Sequence, residues 1–255
     1  MHLHDLRIVV TGAASGLGRH FARRLLENGA HVAAVDRDAE GLERLRQSAA
    51  HPGQLHTFTA DISLESHVIP LFEAARGAIG PLNGLINAAG IFRDGLLARR
   101  DRRTGEITTM SLEQWQQVID VDLTGPFLCS REFARHLLKD DIPASCIVNI
   151  SSVAREGNVG QSNYSAAKAG LVADTRVWAR ELARHGCRVG AIAPGFIDTP
   201  ILQGMRPEVL QGLLDNVPLR RAGDPEEVWL GVRFILECDY FTGRCLDIDG
   251  GISLG

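Results

Sequence analysis

Apolar stretches of strand length alternate with longer stretches of helical period along almost the whole chain, the pattern of a parallel sheet whose crossover helices cover both faces. Residues 7–11, 31–36, 55–60, 84–87, 146–151, 188–193 and 244–248 are the predicted strands. Residues 17–28, 39–49, 63–79, 111–138, 164–185 and 225–236 are the predicted helices. No linker, repeat or low-complexity segment interrupts the order. The expectation is one α/β domain over residues 1–255, a Rossmann-type doubly wound sheet of about seven parallel strands with helices on both faces.

Two segments depart from simple alternation. Residues 99–109 carry Arg99, Arg100, Arg102 and Arg103 around Thr104-Gly105, which predicts a hairpin tip between the fourth strand and the next helix. Residues 197–217 are rich in Pro, Gly and Met and follow the sixth strand, where a lid over a substrate is expected.

Composition narrows the function classes. A formal charge of −4 without a long basic run argues against nucleic acid, and no stretch approaches the roughly 18 apolar residues of a membrane helix. Cytoplasmic placement is the expectation, with no basic and apolar leader ahead of the first strand. The five cysteines are widely spaced without a C-x-x-C pair, so buried free thiols are expected and no metal site.

The first strand ends in Thr11-Gly12-Ala13-Ala14-Ser15-Gly16-Leu17-Gly18 and turns at once into a helix. Free backbone N–H groups and the positive end of a helix dipole then meet where a pyrophosphate can sit. Gly12 permits the tight turn, and Gly16 and Gly18 permit close approach. Asp36, at the end of the second strand, is placed to accept from adenosine ribose hydroxyls and to repel a 2′-phosphate, which favours NAD over NADP. Arg37 dissents, because its guanidinium could hold that phosphate. Asp61, ahead of Ser63, is either a helix cap or a ligand contact, and both roles are compatible. Tyr164 and Lys168, four apart, share one helix face; an ammonium beside a phenol favours the phenolate, which general acid/base work near neutral pH requires. A serine at Ser151 or Ser152, where the fifth strand ends, could donate to a developing oxyanion.

Taken with Asn87-Ala88-Ala89-Gly90 and Pro194-Gly195-Phe196-Ile197-Asp198-Thr199, these segments resemble the short-chain dehydrogenase/reductase family over most of the chain. The resemblance implies that Tyr164 is the general acid/base, that Lys168 also binds the nicotinamide ribose, and that Asp61 and Ile62 contact adenine. It implies that the cofactor passes over Asn87, Ala88 and Gly90, and that Pro194, Gly195, Ile197 and Thr199 clamp the nicotinamide. Ser15 stands where NADP-using relatives carry a base, again favouring NAD.

Two positions depart from the family pattern. The usual interval from serine to tyrosine is thirteen, which fits Ser151, whereas strand register points to Ser152; a loop loses a residue more easily than a strand slips register, so Ser152 is the expected catalytic serine. Asp122 stands where the family has an asparagine in a proton relay, and its charge, if ionised, would steady Lys168 and oppose the tyrosinate.

The motifs are closest to 3-oxoacyl-acyl-carrier-protein reductases and NAD-dependent 3-hydroxyacyl-CoA dehydrogenases. The implied activity is interconversion of a secondary alcohol and a ketone, on a small molecule carried on CoA or acyl carrier protein, with the arginine segment as an anion-receiving rim or a solvated hairpin. The alternatives are a dehydrogenase of a free small alcohol, sugar or steroid, and a dinucleotide-binding regulator with impaired chemistry. A homotetramer or homodimer is expected, with Trp115, Phe127, Phe133 and Trp178 as candidate face or core residues.

Overall fold

The computed structural model describes residues 1–253 except Ala50 and Met205, so the last two positions of the expected domain and one position of the expected lid lie outside the described residues. Among the described residues nine strands form in chain order: β1 (Arg7–Thr11), β2 (His31–Asp36), β3 (Leu55–Thr59), β4 (Gly84–Asn87), β5 (Ala98–Arg100), β6 (Ile107–Thr109), β7 (Ser145–Ile150), β8 (Cys187–Pro194) and β9 (Cys245–Ile248). The helices are α1 (Gly16–Glu27), α2 (Ala39–Gln47), α3 (Glu65–Ile79), α4 (Leu112–Ile119), α5 (Gly125–Lys139), α6 (Ser162–Leu182), α7 (Pro200–Gln203), α8 (Pro207–Leu214) and α9 (Pro225–Glu237).

Seven strands make one sheet in the order β3-β2-β1-β4-β7-β8-β9, every neighbouring pair parallel. Alternation within each strand supplies two separate cores, because successive side chains point to opposite faces. Ile8 and Val10 of β1 join Phe21 and Leu25 of α1, Leu45 of α2 and Trp229 of α9 on one face. Val9 joins Phe72 of α3, Phe133 of α5 and Val189 of β8 on the other. This is the doubly wound α/β architecture that the alternation of elements predicts. Chain order reverses between β1 and β4, which opens a crevice at the carboxyl ends of those strands.

Two local differences bear on chemistry. The helix expected over 111–138 is a rod in two parts, α4 and α5, joined by a single wide π turn at Asp120–Thr124. Such turns occur singly inside α-helices and are frequent at functional sites. Ser111 and Gln114 cap the start of α4 reciprocally. The expected hairpin forms from β5 and β6, antiparallel, with Gly105 at φ 76° closing its tip. The segment expected to be a lid folds as the short helices α7 and α8.

Cys129, Cys146 and Cys187 are buried free thiols, and burial pushes the first two up to about 12; Cys238 and Cys245 are half-buried and also free. No helix among the described residues is long and apolar enough to cross a membrane.

Candidate active site

The glycine-rich turn is tied to its neighbours from both sides. Thr11, fully buried, accepts through its hydroxyl from the backbone N–H groups of Ala88 and Ala89 at 3.1 and 3.2 Å. Asp36 accepts from Ala14 N–H at 3.0 Å through one carboxylate oxygen and from Asp38 N–H at 3.0 Å through the other. Gly12 has φ 70°, and a Cβ there would lie 2.8 Å from Ala89 Cα, so this position needs glycine on both conformational and steric grounds. A Cβ on Gly18 would lie 2.2 Å from the carbonyl oxygen of Gly12. Gly16 opens α1, Leu17 packs at its first turn against the core, and the exposed Ser15 caps the helix without spending its hydroxyl on it.

This cradle fits a dinucleotide. Each oxygen of the half-buried Asp36 accepts one backbone bond and keeps capacity for a hydroxyl. Arg37 is exposed beside it. Asp61 accepts from both the N–H and the hydroxyl of Ser63, at 2.9 and 2.6 Å, the local turn expected ahead of α3. Burial opposes ionisation of Asp61, but the Ser63 bonds and the charge of Arg37 outweigh it and leave the carboxyl below its usual range. Ile62 is buried, its side chain against Gly125 at the start of α5.

At the exit of β4, Asn87 spends its amide on Ser130 and Asn149, at 3.1 and 2.8 Å, and Asn149 donates in turn to Thr175 at 2.9 Å. The side chain of Asn87 therefore braces β4 against β7 and the helices. That leaves the small residues Ala88, Ala89 and Gly90 as the surface next to the glycine-rich turn. A Cβ on Gly90 would lie 2.8 Å from Asp122 Oδ2.

Asp122 sits in the π turn, fully buried. Its Oδ1 accepts from Ile91 N–H at 2.9 Å. Its Oδ2 lies 3.1 Å from Lys168 Nζ, an ion pair without an aligned hydrogen bond. Lys168 Nζ also donates to the carbonyl of Ile150 at 3.2 Å and lies 5.3 Å from the centre of the Tyr164 ring. Burial pushes the ammonium down, yet the opposite charge of Asp122 overrides it and holds Lys168 above its usual value. Burial likewise pushes the Asp122 carboxyl up against the pull of Lys168.

Tyr164 is 7% exposed, on the first turns of α6, with the ring of Phe92 tilted over it at 4.6 Å between centroids. Burial opposes its ionisation and pushes the pKa up. Lys168 and the Ser152 hydroxyl lower that pKa, Asp122 and Asp94 raise it, and the phenol ends above its usual value.

The two serines part company. Ser151 is buried and donates to the Lys168 carbonyl at 2.9 Å, pinning β7 to α6. Ser152 accepts from Ala154 N–H at 3.1 Å, which leaves its hydroxyl proton free on the Tyr164 side. Between Ser152 and Tyr164 the chain makes a 3-10 turn at Val153–Glu156 and passes through Gly157 and Gly160, both at positive φ, where Gly160 O accepts from Gly95 N–H at 2.8 Å.

Asn163 and Phe92 gave no motif in the sequence as single positions. Asn163, fully buried, donates to the carbonyls of Arg93 and Gln114 at 3.0 Å each and accepts from Tyr164 N–H at 2.8 Å, fixing where the tyrosine emerges. Only its place beside the tyrosine could have marked it. After β8, Pro194 ends the strand, and Gly195 passes so close to Asp249 that a Cβ would lie 2.8 Å from its Cα. Ile197 is buried and bridges to Gly223, and the half-buried Thr199 caps α7.

A family profile described as enoyl-(acyl carrier protein) reductase matches residues 12–253. The chain is 36% identical over 258 residues to a 3-oxoacyl-acyl-carrier-protein reductase of Thermotoga maritima, covering 100% of both chains. It is 37% identical over 270 residues to a (3R)-3-hydroxyacyl-CoA dehydrogenase of Canis lupus familiaris, covering 100% of this chain and 98% of that one. A 3-oxoacyl-acyl-carrier-protein reductase of Synechocystis is 37% identical over 254 residues, 96% of each chain.

Proposed function

The chain belongs to the short-chain dehydrogenase/reductase family, oxidoreductases acting on CH–OH groups, and we propose that it interconverts a 3-hydroxyacyl and a 3-oxoacyl thioester with NAD(H). The observation that carries this reading is the convergence of Ser152, Tyr164 and Lys168 beside the glycine-rich turn, at the carboxyl ends of β1, β4 and β7. A bound nicotinamide dinucleotide supplies hydride exchange at the carbinol carbon. The chain's own residues do the rest.

Gly12, Ser15, Gly16, Leu17 and Gly18 present backbone N–H groups and a helix N-terminus to the pyrophosphate. Asp36 takes the adenosine ribose hydroxyls and, being anionic, disfavours a 2′-phosphate, while Arg37 lies outside it. Asp61 and Ile62 bound the adenine, and Ala88 and Gly90 beyond Asn87 leave room for the cofactor to cross β4. Pro194, Gly195, Ile197 and Thr199 flank the nicotinamide end. Lys168 donates to Ile150 O and keeps N–H capacity for the nicotinamide ribose. Ser152 donates to the substrate oxygen, and Tyr164 gives that oxygen a proton during reduction or takes one during oxidation.

The thioester assignment draws on the printed activities of the relatives and on the hairpin. Arg99, Arg100, Arg102 and Arg103 are exposed, and none of them forms an ion pair among the described residues. The neighbouring Asp101 is occupied with its own turn, accepting from Arg103 and Thr104 N–H at 2.8 Å each. The base of this basic arm is joined to the active site through Gly95, whose N–H donates to Gly160 O, and through Asp94, which accepts from Gln161. An anionic carrier, CoA or carrier protein, fits such a rim.

The test is a rate comparison of acetoacetyl-CoA with uncharged cyclic ketones, with NADH and NADPH, at low and high salt. A thioester preference that weakens with salt is expected. Equal rates that are insensitive to salt and to Arg102→Ala would assign a free alcohol or ketone instead, and absence of any turnover would assign a binding role. A cytoplasmic homotetramer or homodimer completes the reading, supported by Phe127 and Val177, 43% and 47% exposed on α5 and α6.

A further inference from the structure

Asp122 and Lys168 form a closed pair in a place where charge is costly. Both side chains are shielded from solvent, 3.1 Å apart, with Oδ1 of Asp122 fixed by Ile91 N–H and Nζ of Lys168 fixed by Ile150 O. Asp122 lies in the π turn, and a Cβ on Gly90 would meet Asp122 Oδ2 at 2.8 Å and Lys168 Nζ at 3.4 Å, so glycine leaves the pair room to close. At that separation no water stands between carboxylate and ammonium.

We propose that Asp122 is a positioning residue that closes Lys168 into a neutral pair, so that Tyr164 faces no unpaired cation and holds its proton more firmly. The inference rests on Tyr164 being the acid/base group of the proposed reaction. Four groups act on the phenol from the elements packed around it: Lys168 one turn along α6, Asp122 in the π turn, Asp94 in the segment after β4 and Ser152 after β7. Lys168 and Ser152 favour the phenolate; Asp122 and Asp94 oppose it. The Asp122 charge thus offsets that of the lysine at the phenol. A phenol that retains its proton is a donor. The resting site is accordingly set for carbonyl reduction near neutral pH, and alcohol oxidation, which needs the tyrosinate, should rise as the medium becomes alkaline.

The chain has two tyrosines, and Tyr240 is fully exposed and remote from the cleft, so Tyr240→Phe leaves Tyr164 as the sole phenol. Its ultraviolet tyrosinate absorbance can be titrated without any substrate or cofactor. In that background Asp122→Asn keeps an oxygen for Ile91 N–H and removes the charge. The Tyr164 midpoint is expected to fall by about one pH unit or more, and the pH profile of alcohol oxidation to move the same way. If Asp122→Asn does not fold, Asp122→Ser carries the same expectation. A midpoint equal to or above that of the parent, in whichever variant folds, overturns the proposal; it would mean that the lysine, deprived of its partner, gives up its proton first. If no variant oxidises any alcohol, the functional reading fails, while the titration still decides the role of Asp122.

Discussion

The cradle at the ends of β1 and β2 and the centre between β7, the π turn and α6 use carboxylates in opposite ways. Asp36 is half-buried, spends its two oxygens on the backbone N–H groups of Ala14 and Asp38, and keeps acceptor capacity facing the cleft. Asp122 is fully buried and meets a side-chain ammonium. The first is a backbone device whose charge faces the cleft, where the proposed reading has it select the cofactor. The second is a side-chain device whose charge is nearly consumed inside the protein. The difference predicts that substitutions in the cradle alter binding and those in the centre alter rate.

The largest effect belongs to the centre. Tyr164→Phe removes the proton-transfer group and leaves the ring that packs under Phe92 at 4.6 Å, so turnover should fall by about 10²–10⁴-fold. Dinucleotide affinity, measured by calorimetry, should stay within a few-fold of the parent. A large loss of affinity with little loss of rate would erase the contrast between the two regions.

A sharper form compares adjacent residues. Ser152→Ala should lower kcat by about 10²–10³-fold, as expected for an oxyanion donor, while its stability falls by no more than about 1 kcal/mol for the lost bond from Ala154 N–H. Ser151→Ala loses the bond to the Lys168 carbonyl, which should cost about 1 kcal/mol of stability in denaturant titration. Its rate should change far less than that of Ser152→Ala, and the reverse ranking would reassign the catalytic serine.

The cradle shows how far the sequence was legible. Its working parts are backbone geometry enforced by glycines, and glycines at fixed intervals between a strand and a helix are visible as letters. The seven strands and the helices between them were legible for a similar reason, because buried parallel strands and amphipathic helices leave strong patterns; the order of the strands in the sheet was not. The centre was legible only in part. Tyr164 and Lys168 show themselves by a spacing of four, but the π turn at Asp120–Thr124 lies inside an unbroken helical pattern and shifts Asp122 without changing its identity. The roles of Ser151 and Ser152 were not separable from the letters, because they depend on which hydroxyl the fold turns inward, and it is Ser151 that is buried and donates to the Lys168 carbonyl. Asn163 works by bridging Arg93 and Gln114, two contacts distant in sequence, and no local pattern announces them.

In the cradle, Gly18→Ala places a methyl 2.2 Å from the Gly12 carbonyl oxygen, and neither backbone can yield cheaply. Moving α1 away from the turn should cost about 1–3 kcal/mol of stability. Because the same movement pulls the helix N-terminus from the pyrophosphate, the dinucleotide Kd should rise by about tenfold or more. At saturating cofactor kcat should recover most of its parental value, and a kcat that stays low would place chemistry in the cradle as well.

The smallest effect is the most informative about the half-buried carboxylate. Asp36→Asn keeps one acceptor oxygen, so one of the two backbone bonds, to Ala14 or to Asp38, is lost together with one ribose hydroxyl contact. It also removes the negative charge that a 2′-phosphate would meet, with the exposed Arg37 free to approach that phosphate. Both changes act in the same direction on cofactor choice. The ratio of kcat/KM with NAD to that with NADP should fall by about tenfold, about 1.4 kcal/mol. Arg37→Ala added to Asp36→Asn should reverse the NADP gain without restoring NAD, which separates repulsion by Asp36 from attraction by Arg37. An unchanged ratio in Asp36→Asn would show that Asp36 serves only to hold the glycine-rich turn, and the two carboxylates would then differ in exposure but not in kind.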